Sequence, residues 1–259
     1  MVSLTKIKKK TDVYLVGAGP GDPKLLTLKA YELMQAADMI AYDALIAEEM
    51  LTFLSEHFGK EKLIPIGYRG YQEHKIEHGM HPQVIALAKS GKMVVRLKSG
   101  DPFIFGRGLQ ECMDLLQHEL TFEIVPGITA ALGAAAYGKF PLTAIHAASS
   151  ITIASAHKVN LDDFDTYVEE LSQIKGTLVL YMGAKKLSLL FQKLIACGKS
   201  SETPAMLAHS VTTQEEHYVS GTLADLPSKL CACFVSDRPS LIIIGEVVKI
   251  REHFYEANS

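Results

Sequence analysis

The chain has few cysteines, no long apolar run and no excess of basic charge across its 259 residues. Cys112, Cys197, Cys231 and Cys233 form no C-x-x-C pair and no zinc spacing. Thiols scattered without a framework suit a reducing cytoplasm. Cys231 and Cys233 make one C-x-C pair with no His pair nearby to complete a site, so no metal is expected. No apolar run reaches membrane-spanning length. The basic cluster Lys6, Lys8, Lys9 and Lys10 is followed by no apolar signal core and reads as a solvated tail. With 26 basic against 29 acidic residues, nothing supports a nucleic-acid partner. What is present is the composition of a folded protein, 48% hydrophobic and 21% charged. The length accommodates one large or two modest domains.

Strand and helix signals alternate through the first half. Val13–Val16, Met39–Tyr42, Leu63–Ile66, Met93–Leu97 and Phe122–Val125 read as short buried strands. Between them Thr27 is placed to cap a helix carrying Leu28, Leu33 and Met34, and Pro82–Lys89 and Gln110–Gln117 read as further helices. Tyr71–His81 is polar without a period and reads as a loop. Alternation at this spacing predicts an α/β fold with a mainly parallel sheet over 11–127. The character changes at Pro126-Gly127. An Ala-rich helix over Ile128–Tyr137 opens a second α/β domain over 128–252. Its strands are predicted at Ser150–Ser155, Thr177–Met182, Pro204–His209, His217–Ser220 and Leu241–Val248, with a helix over Leu187–Cys197 ending at Gly198. No internal repeat relates the two halves.

Two glycine-rich turns carry the chemistry. The stretch Arg96–Gly108, RLKSGDPFIFGRG, follows an apolar strand and sets Lys98, Asp101 and Arg107 among Phe103, Ile104 and Phe105. Such a turn sits at the carboxyl end of a sheet, where open α/β folds bind ligands. The plainer reading is a tight loop with a capping Asp. The first turn runs Gly17-Ala-Gly-Pro-Gly-Asp-Pro23, with glycines spaced G-x-G-x-G and not G-x-G-x-x-G. Asp43 ends the second strand where a dinucleotide fold keeps its ribose-binding acid. Asp22-Pro23, however, sets a carboxylate where a pyrophosphate would approach, so the loop suits a cation or a neutral ribose better.

Val13–Ala30, Arg96–Gly108, Glu123–Thr143, Leu180–Gly183 and Pro239–Val248 together closely resemble the uroporphyrinogen-III C-methyltransferases among the tetrapyrrole methylases. The similarity runs in order along nearly all of the chain after the basic tail, and it is to the stand-alone form of the enzyme. The resemblance implies two α/β domains with S-adenosylmethionine in the cleft between them, a homodimer, and a double C-methylation of uroporphyrinogen III to precorrin-2. That product serves sirohaem and cobalamin synthesis.

By similarity, the cofactor is contacted by Pro20, by the turn Ser99-Gly100-Asp101, and by Ile104 and Phe105. Thr129 and Ala130 begin the bridging helix, and Met182, Ala208 and Val211 supply the second lobe's contacts. Ser99 replaces a family glycine and is tolerable only at negative φ. Asp43, in Tyr42-Asp43-Ala44-Leu45, matches the family's proposed proton acceptor; its alternative role is a strand-end carboxylate capping a loop. A substrate bearing eight carboxylates calls for cations, for which Arg69, Arg107 and Lys98 are candidates, with His146 beside them. Arg107 is also placed to act on the ring system. Arg69 and Arg107 could instead pair with acids between the lobes.

The departures fall on the substrate side. The family's Gly-Lys-Arg is Gly67-Tyr68-Arg69, so a phenol stands where the proposed proton donor is a lysine. Gln110 stands for an acid, with Glu111 next to it, and Ala144-Ile145 for His-Arg, with His146 one place on. Each change removes a charge. A different corrinoid precursor or other acceptor is therefore the alternative enzymatic reading, and a cofactor-binding sensor the non-enzymatic one.

Overall fold

Residues 11–67, 79–156, 164–230 and 238–256 are described by the structure, a computed structural model, with side chains to Arg251. The basic tail, the polar stretch 71–78 and the Cys231–Cys233 pair lie outside these residues. The chain divides after Thr129 into two units.

In the first unit, β1 (Val13–Gly17), α1 (Leu28–Ala36), β2 (Met39–Tyr42), α2 (Glu48–Phe58), β3 (Leu63–Pro65), α3 (Pro82–Lys89), β4 (Val94–Lys98), α4 (Gly108–Gln117) and β5 (Phe122–Val125) follow in order. The strands form one parallel sheet in the order β3-β2-β4-β1-β5. Alternate strand residues feed two cores. Tyr14, Val16, Ile40, Val95 and Leu97 meet Leu33, Met34, Met50 and Leu54 of α1 and α2. Val13, Leu15, Ala41 and Val94 meet Val84, Ala88, Cys112 and Leu115 of α3 and α4. Strands buried on both faces read as unbroken apolar runs, which is why the sequence shows them clearly. Thr27 caps α1 by accepting from the Ala30 N–H at 3.1 Å. α2 covers a stretch to which strand periodicity assigns nothing; Met50, Leu54 and Phe58 at four-residue spacing bury its inner face.

The second unit runs α5 (Ala130–Tyr137), β6 (Ile151–Ser155), α6 (Phe164–Ser172), β7 (Thr177–Tyr181), α7 (Leu187–Ala196), β8 (Pro204–His209), β9 (His217–Thr222), the short α8 (Leu226–Lys229), β10 (Ser240–Ile244) and α9 (Val247–Glu256). Its sheet, in the order β6-β7-β10-β8-β9, is mixed: β6 and β7 are parallel and the other pairs antiparallel. The apolar run Leu241–Val248 is not one strand. Gly245, at φ 141°, ends β10, and Val247 and Val248 begin α9. An apolar run alone does not separate a buried strand from a buried helix start. Among the described residues no helix is long and apolar enough to cross a membrane.

Candidate functional site

The parallel register of the first unit gathers charge at the carboxyl end of its sheet. Ala41 lies opposite Arg96 and Tyr42 opposite Leu97, which brings Asp43, one residue beyond β2, beside Arg96 and Lys98. Arg96 and Lys98 share a strand face with Val94, towards α3 and α4. Glu111, on the first turn of α4, points into the same space. The Asp43 Oδ1 accepts from Arg96 Nη2 at 2.6 Å. Glu111 Oε1 accepts from Arg96 Nη2 at 2.8 Å and from Nε at 3.1 Å. Lys98 Nζ lies 2.8 Å from Glu111 Oε2 and 3.8 Å from Asp43 Oδ2.

These four side chains form a ring of two cations and two carboxylates. Arg96, Lys98 and Glu111 are almost wholly buried, at 4%, 3% and 6% side-chain exposure, whereas Asp43 keeps 23%. Asp43 is therefore the member that a ligand can touch. Burial opposes the charge on Arg96, but Asp43 and Glu111 outweigh it and hold the guanidinium above its ordinary value. On Lys98 burial wins, with Arg96 adding to it, and the ammonium is held below its ordinary value. Gly67 packs its backbone against this site. A Cβ there would stand 2.4 Å from Ala44 N and 2.6 Å from Asp43 Cα, so only glycine fits.

A knot of backbone adjoins the charge ring. Gly19 and Gly100 exchange N–H···O bonds of 3.2 and 2.8 Å, tying the loop after β1 to the loop after β4. Gly127 closes the knot: a Cβ on it would lie 2.2 Å from Gly100 O and 2.7 Å from Gly17 Cα. Asp101 holds these pieces with both oxygens, Oδ1 accepting from Phe103 N at 2.8 Å and Oδ2 from Gly127 N at 3.1 Å. The capping role expected of this Asp is thus present. In the turn it is Gly100, at φ 67°, that takes the left-handed conformation, not Ser99, so the serine is accommodated. Further along, Phe105 (φ 53°) and Arg107 (φ 56°) are left-handed without being glycine. Such backbone persists only where its surroundings over-determine it, and it gathers at ligand sites. Phe103, Ile104 and Phe105 stay exposed, at 55%, 39% and 43%.

The structure thus brings Asp43, Lys98, Ser99, Gly100 and Asp101 together within one unit, and adds Arg96 and Glu111, to which the sequence assigned no role at the site. Their signal was readable: two cations two apart in a strand that is otherwise apolar, and one acid on the buried face of an amphipathic helix. Lys98, expected on substrate carboxylates, is turned inward onto Glu111. Arg107 is exposed at the start of α4 and stands outside the ring. Pro20 is half-buried in the first glycine loop. Thr129 ends the first unit and Ala130 begins the second. Tyr68 and Arg69 lie outside the described residues.

In the second unit, Tyr181 and Ala208 both pair with Leu241 of β10, which sets the ends of β7 and β8 level. Met182 follows at φ 59° and 42% exposure. After β8, Ser210 (φ 46°) and Thr212 (φ 64°) are left-handed on either side of buried Val211, a costly conformation for a β-branched residue. His146, also left-handed at φ 67°, borders an open recess of about 570 Å³ lined by Thr143–Ser150, Lys175 and Gly176.

His209 is buried, with Nδ1 2.9 Å from Ser240 Oγ. Burial, with Arg238 and His217 nearby, holds its pKa below the ordinary 6.5. Below pH 6.5 the unfolded chain takes up this proton before the folded one does, so the stability that His209 contributes is present above 6.5 and lost as pH falls. His209→Gln is expected to flatten the decline in melting temperature between about pH 7.5 and about pH 5.5. An unchanged decline would remove His209 as its source.

Comparison with known proteins places these features in context. The profile of the tetrapyrrole (corrin/porphyrin) methylases matches residues 12–227. The siroheme synthase of Pseudomonas fluorescens (strain Pf0-1) is 44% identical over 243 residues, covering 93% of this chain and 51% of that protein. The chain thus spans about half the length of the curated relatives it matches. A crystal structure of uroporphyrin-III C-methyl transferase from Thermus thermophilus, complexed with S-adenyl homocysteine, superposes with a TM-score of 0.71 at 31% identity, covering 92% of this chain and 99% of that one. A cobalt precorrin-4 methyltransferase, at 24% identity and TM-score 0.76 over 91% of this chain and 95% of its own, shares the fold.

Proposed function

The chain belongs to the tetrapyrrole methylase family, and from that premise we propose that it transfers two methyl groups from S-adenosylmethionine to ring carbons of uroporphyrinogen III, yielding precorrin-2 for sirohaem or cobalamin synthesis. The observation that carries this reading is the accessible Asp43 carboxylate beside the glycine knot. The acids of the two glycine loops, Asp22 and Asp101, suit a cationic sulfonium or a neutral ribose, and the exposed Phe103–Phe105 offers apolar surface to a ligand.

The cofactor, when bound, supplies an electrophilic methyl group on a sulfonium. The Ser99-Gly100-Asp101 turn, Pro20, Ile104 and Phe105 hold it, with Thr129, Ala130, Met182, Ala208 and Val211 as the further contacts in this reading. The chain's main task is to fix donor and acceptor carbon in a near-attack arrangement. After the ring carbon takes the methyl, that carbon's skeleton must lose a proton, and Asp43 accepts it. Tyr68, standing where the resemblance puts a proton donor, is assigned a hydrogen bond to the macrocycle and no net proton, since the methyl gained and the proton lost to Asp43 already balance. Arg69 and exposed Arg107 meet substrate carboxylates, with His146 in support. Homodimerisation and a cytoplasmic location belong to the same reading, supported by the family resemblance and the scattered cysteines.

The charge losses at Tyr68, Gln110 and Ala144-Ile145 favour one rival, a different corrinoid precursor as acceptor. Side-by-side turnover of uroporphyrinogen III and precorrin-type tetrapyrroles decides between them. Faster methylation of uroporphyrinogen III is expected; preference for a precorrin would move the assignment to the rival.

A further inference from the structure

We propose that Glu111 is a positioning residue for the methylation chemistry: its two oxygens balance Arg96 and Lys98 so that the Asp43 carboxylate stays available to the substrate. The inference rests on the functional reading above. It begins from an asymmetry in the ring. Glu111 takes three contacts from the two cations, two from Arg96 and one from Lys98, while Asp43 takes one short bond from Arg96 and sits 3.8 Å from Lys98. Arg96 is held from a third side, with Nη1 donating to Leu97 O at 3.0 Å. Glu111 therefore draws Lys98 towards α4 and shares Arg96, which leaves Asp43 with a single hydrogen bond to the cations.

Charge arithmetic shows why this matters. With Glu111 in place the ring holds two positive and two negative groups. Without that charge, two buried cations face one carboxylate. Asp43 would then be drawn onto both of them, and a carboxylate so engaged is a poorer proton acceptor. Lys98 loses the support of Glu111 in the same variant, so its ammonium gives up its proton at lower pH than in wild type, and turnover is compared at a pH where it is still charged. Among the described residues, the remaining titratable neighbours are His81, which caps α3 and whose pKa burial and Arg96 lower, and Cys112 on α4, whose thiol burial and Glu111 push up. Both are uncharged near neutrality, so neither replaces the lost carboxylate.

Glu111→Gln keeps the shape and one oxygen while removing the charge. Turnover is expected to fall by roughly 10-fold to 100-fold, short of the range for losing a general base outright. S-adenosylhomocysteine affinity is expected to stay within about 3-fold of wild type, because no ring contact reaches the cofactor turn except through Lys98. Glu111→Asp should recover part of the rate. The decisive variant is Lys98→Met combined with Glu111→Gln, which restores neutrality with one cation and one carboxylate. If Glu111 acts by balancing charge, the double variant is faster than Glu111→Gln; if it acts only as a structural brace, the double variant is slower. A readout without substrate is the titration of the Lys98 ammonium by 15N NMR, expected at lower pH in Glu111→Gln than in wild type. An unchanged titration overturns the proposal. Should wild-type protein methylate no tetrapyrrole, the functional reading fails, and the Lys98 titration still decides the role of Glu111.

Discussion

Replacing Asp101 with alanine is expected to weaken binding of S-adenosylhomocysteine by at least about 30-fold. One carboxylate here serves two backbone N–H groups, Phe103 within its own loop and Gly127 across the knot. Orphaning a part-buried donor costs about 1–3 kcal/mol, and here it also releases the tie between the loop and Gly127. A loss of about 2 kcal/mol in the binding-competent conformation alone is about 30-fold in affinity. Asp101→Asn separates the two ties. Its remaining oxygen can still accept from Phe103, so its affinity is expected to fall between wild type and alanine. Calorimetric titration measures all three. Wild-type affinity in Asp101→Ala would refute the assignment of this turn to the cofactor.

Asp43→Asn is the second large effect, and it should separate chemistry from binding. The amide oxygen still accepts from Arg96, so the buried guanidinium keeps a partner and the unit folds. What is lost, under the proposed role, is the acceptor for the substrate's proton. General-base catalysis contributes about 10²- to 10⁴-fold, and turnover is expected to fall within that range. The cofactor turn is held by other contacts, so cofactor affinity should remain near wild type. Turnover within about 3-fold of wild type would reduce Asp43 to the loop-capping role that is its alternative.

The parallel sheet of the first unit was legible because β1 and β4 are buried along their whole length and every strand runs into a glycine, proline or aspartate within two residues. The glycine turns were legible for the same reason: a backbone that must approach another backbone excludes side chains, and Gly17, Gly100 and Gly127 do so mutually. The charge ring was not. Arg96 and Lys98 were visible, but their pairing depends on the register that sets β2 beside β4, and Glu111 arrives from a helix fifteen residues on. Register and helix facing are tertiary facts. Lys98 shows the consequence, since its charge suggested substrate carboxylates and its burial directs it to Glu111. The second unit was harder to read, because its sheet is mixed and its last apolar run turns from strand to helix at Gly245.

Membership of the tetrapyrrole methylase family leaves the identity of the methyl acceptor to be decided. The most direct measurement is an anaerobic incubation of the purified protein with S-adenosylmethionine and enzymatically generated uroporphyrinogen III, followed by the mass of the tetrapyrrole products. A gain of two methyl groups per macrocycle is expected. Bound cofactor with no methyl gained on uroporphyrinogen III would contradict it.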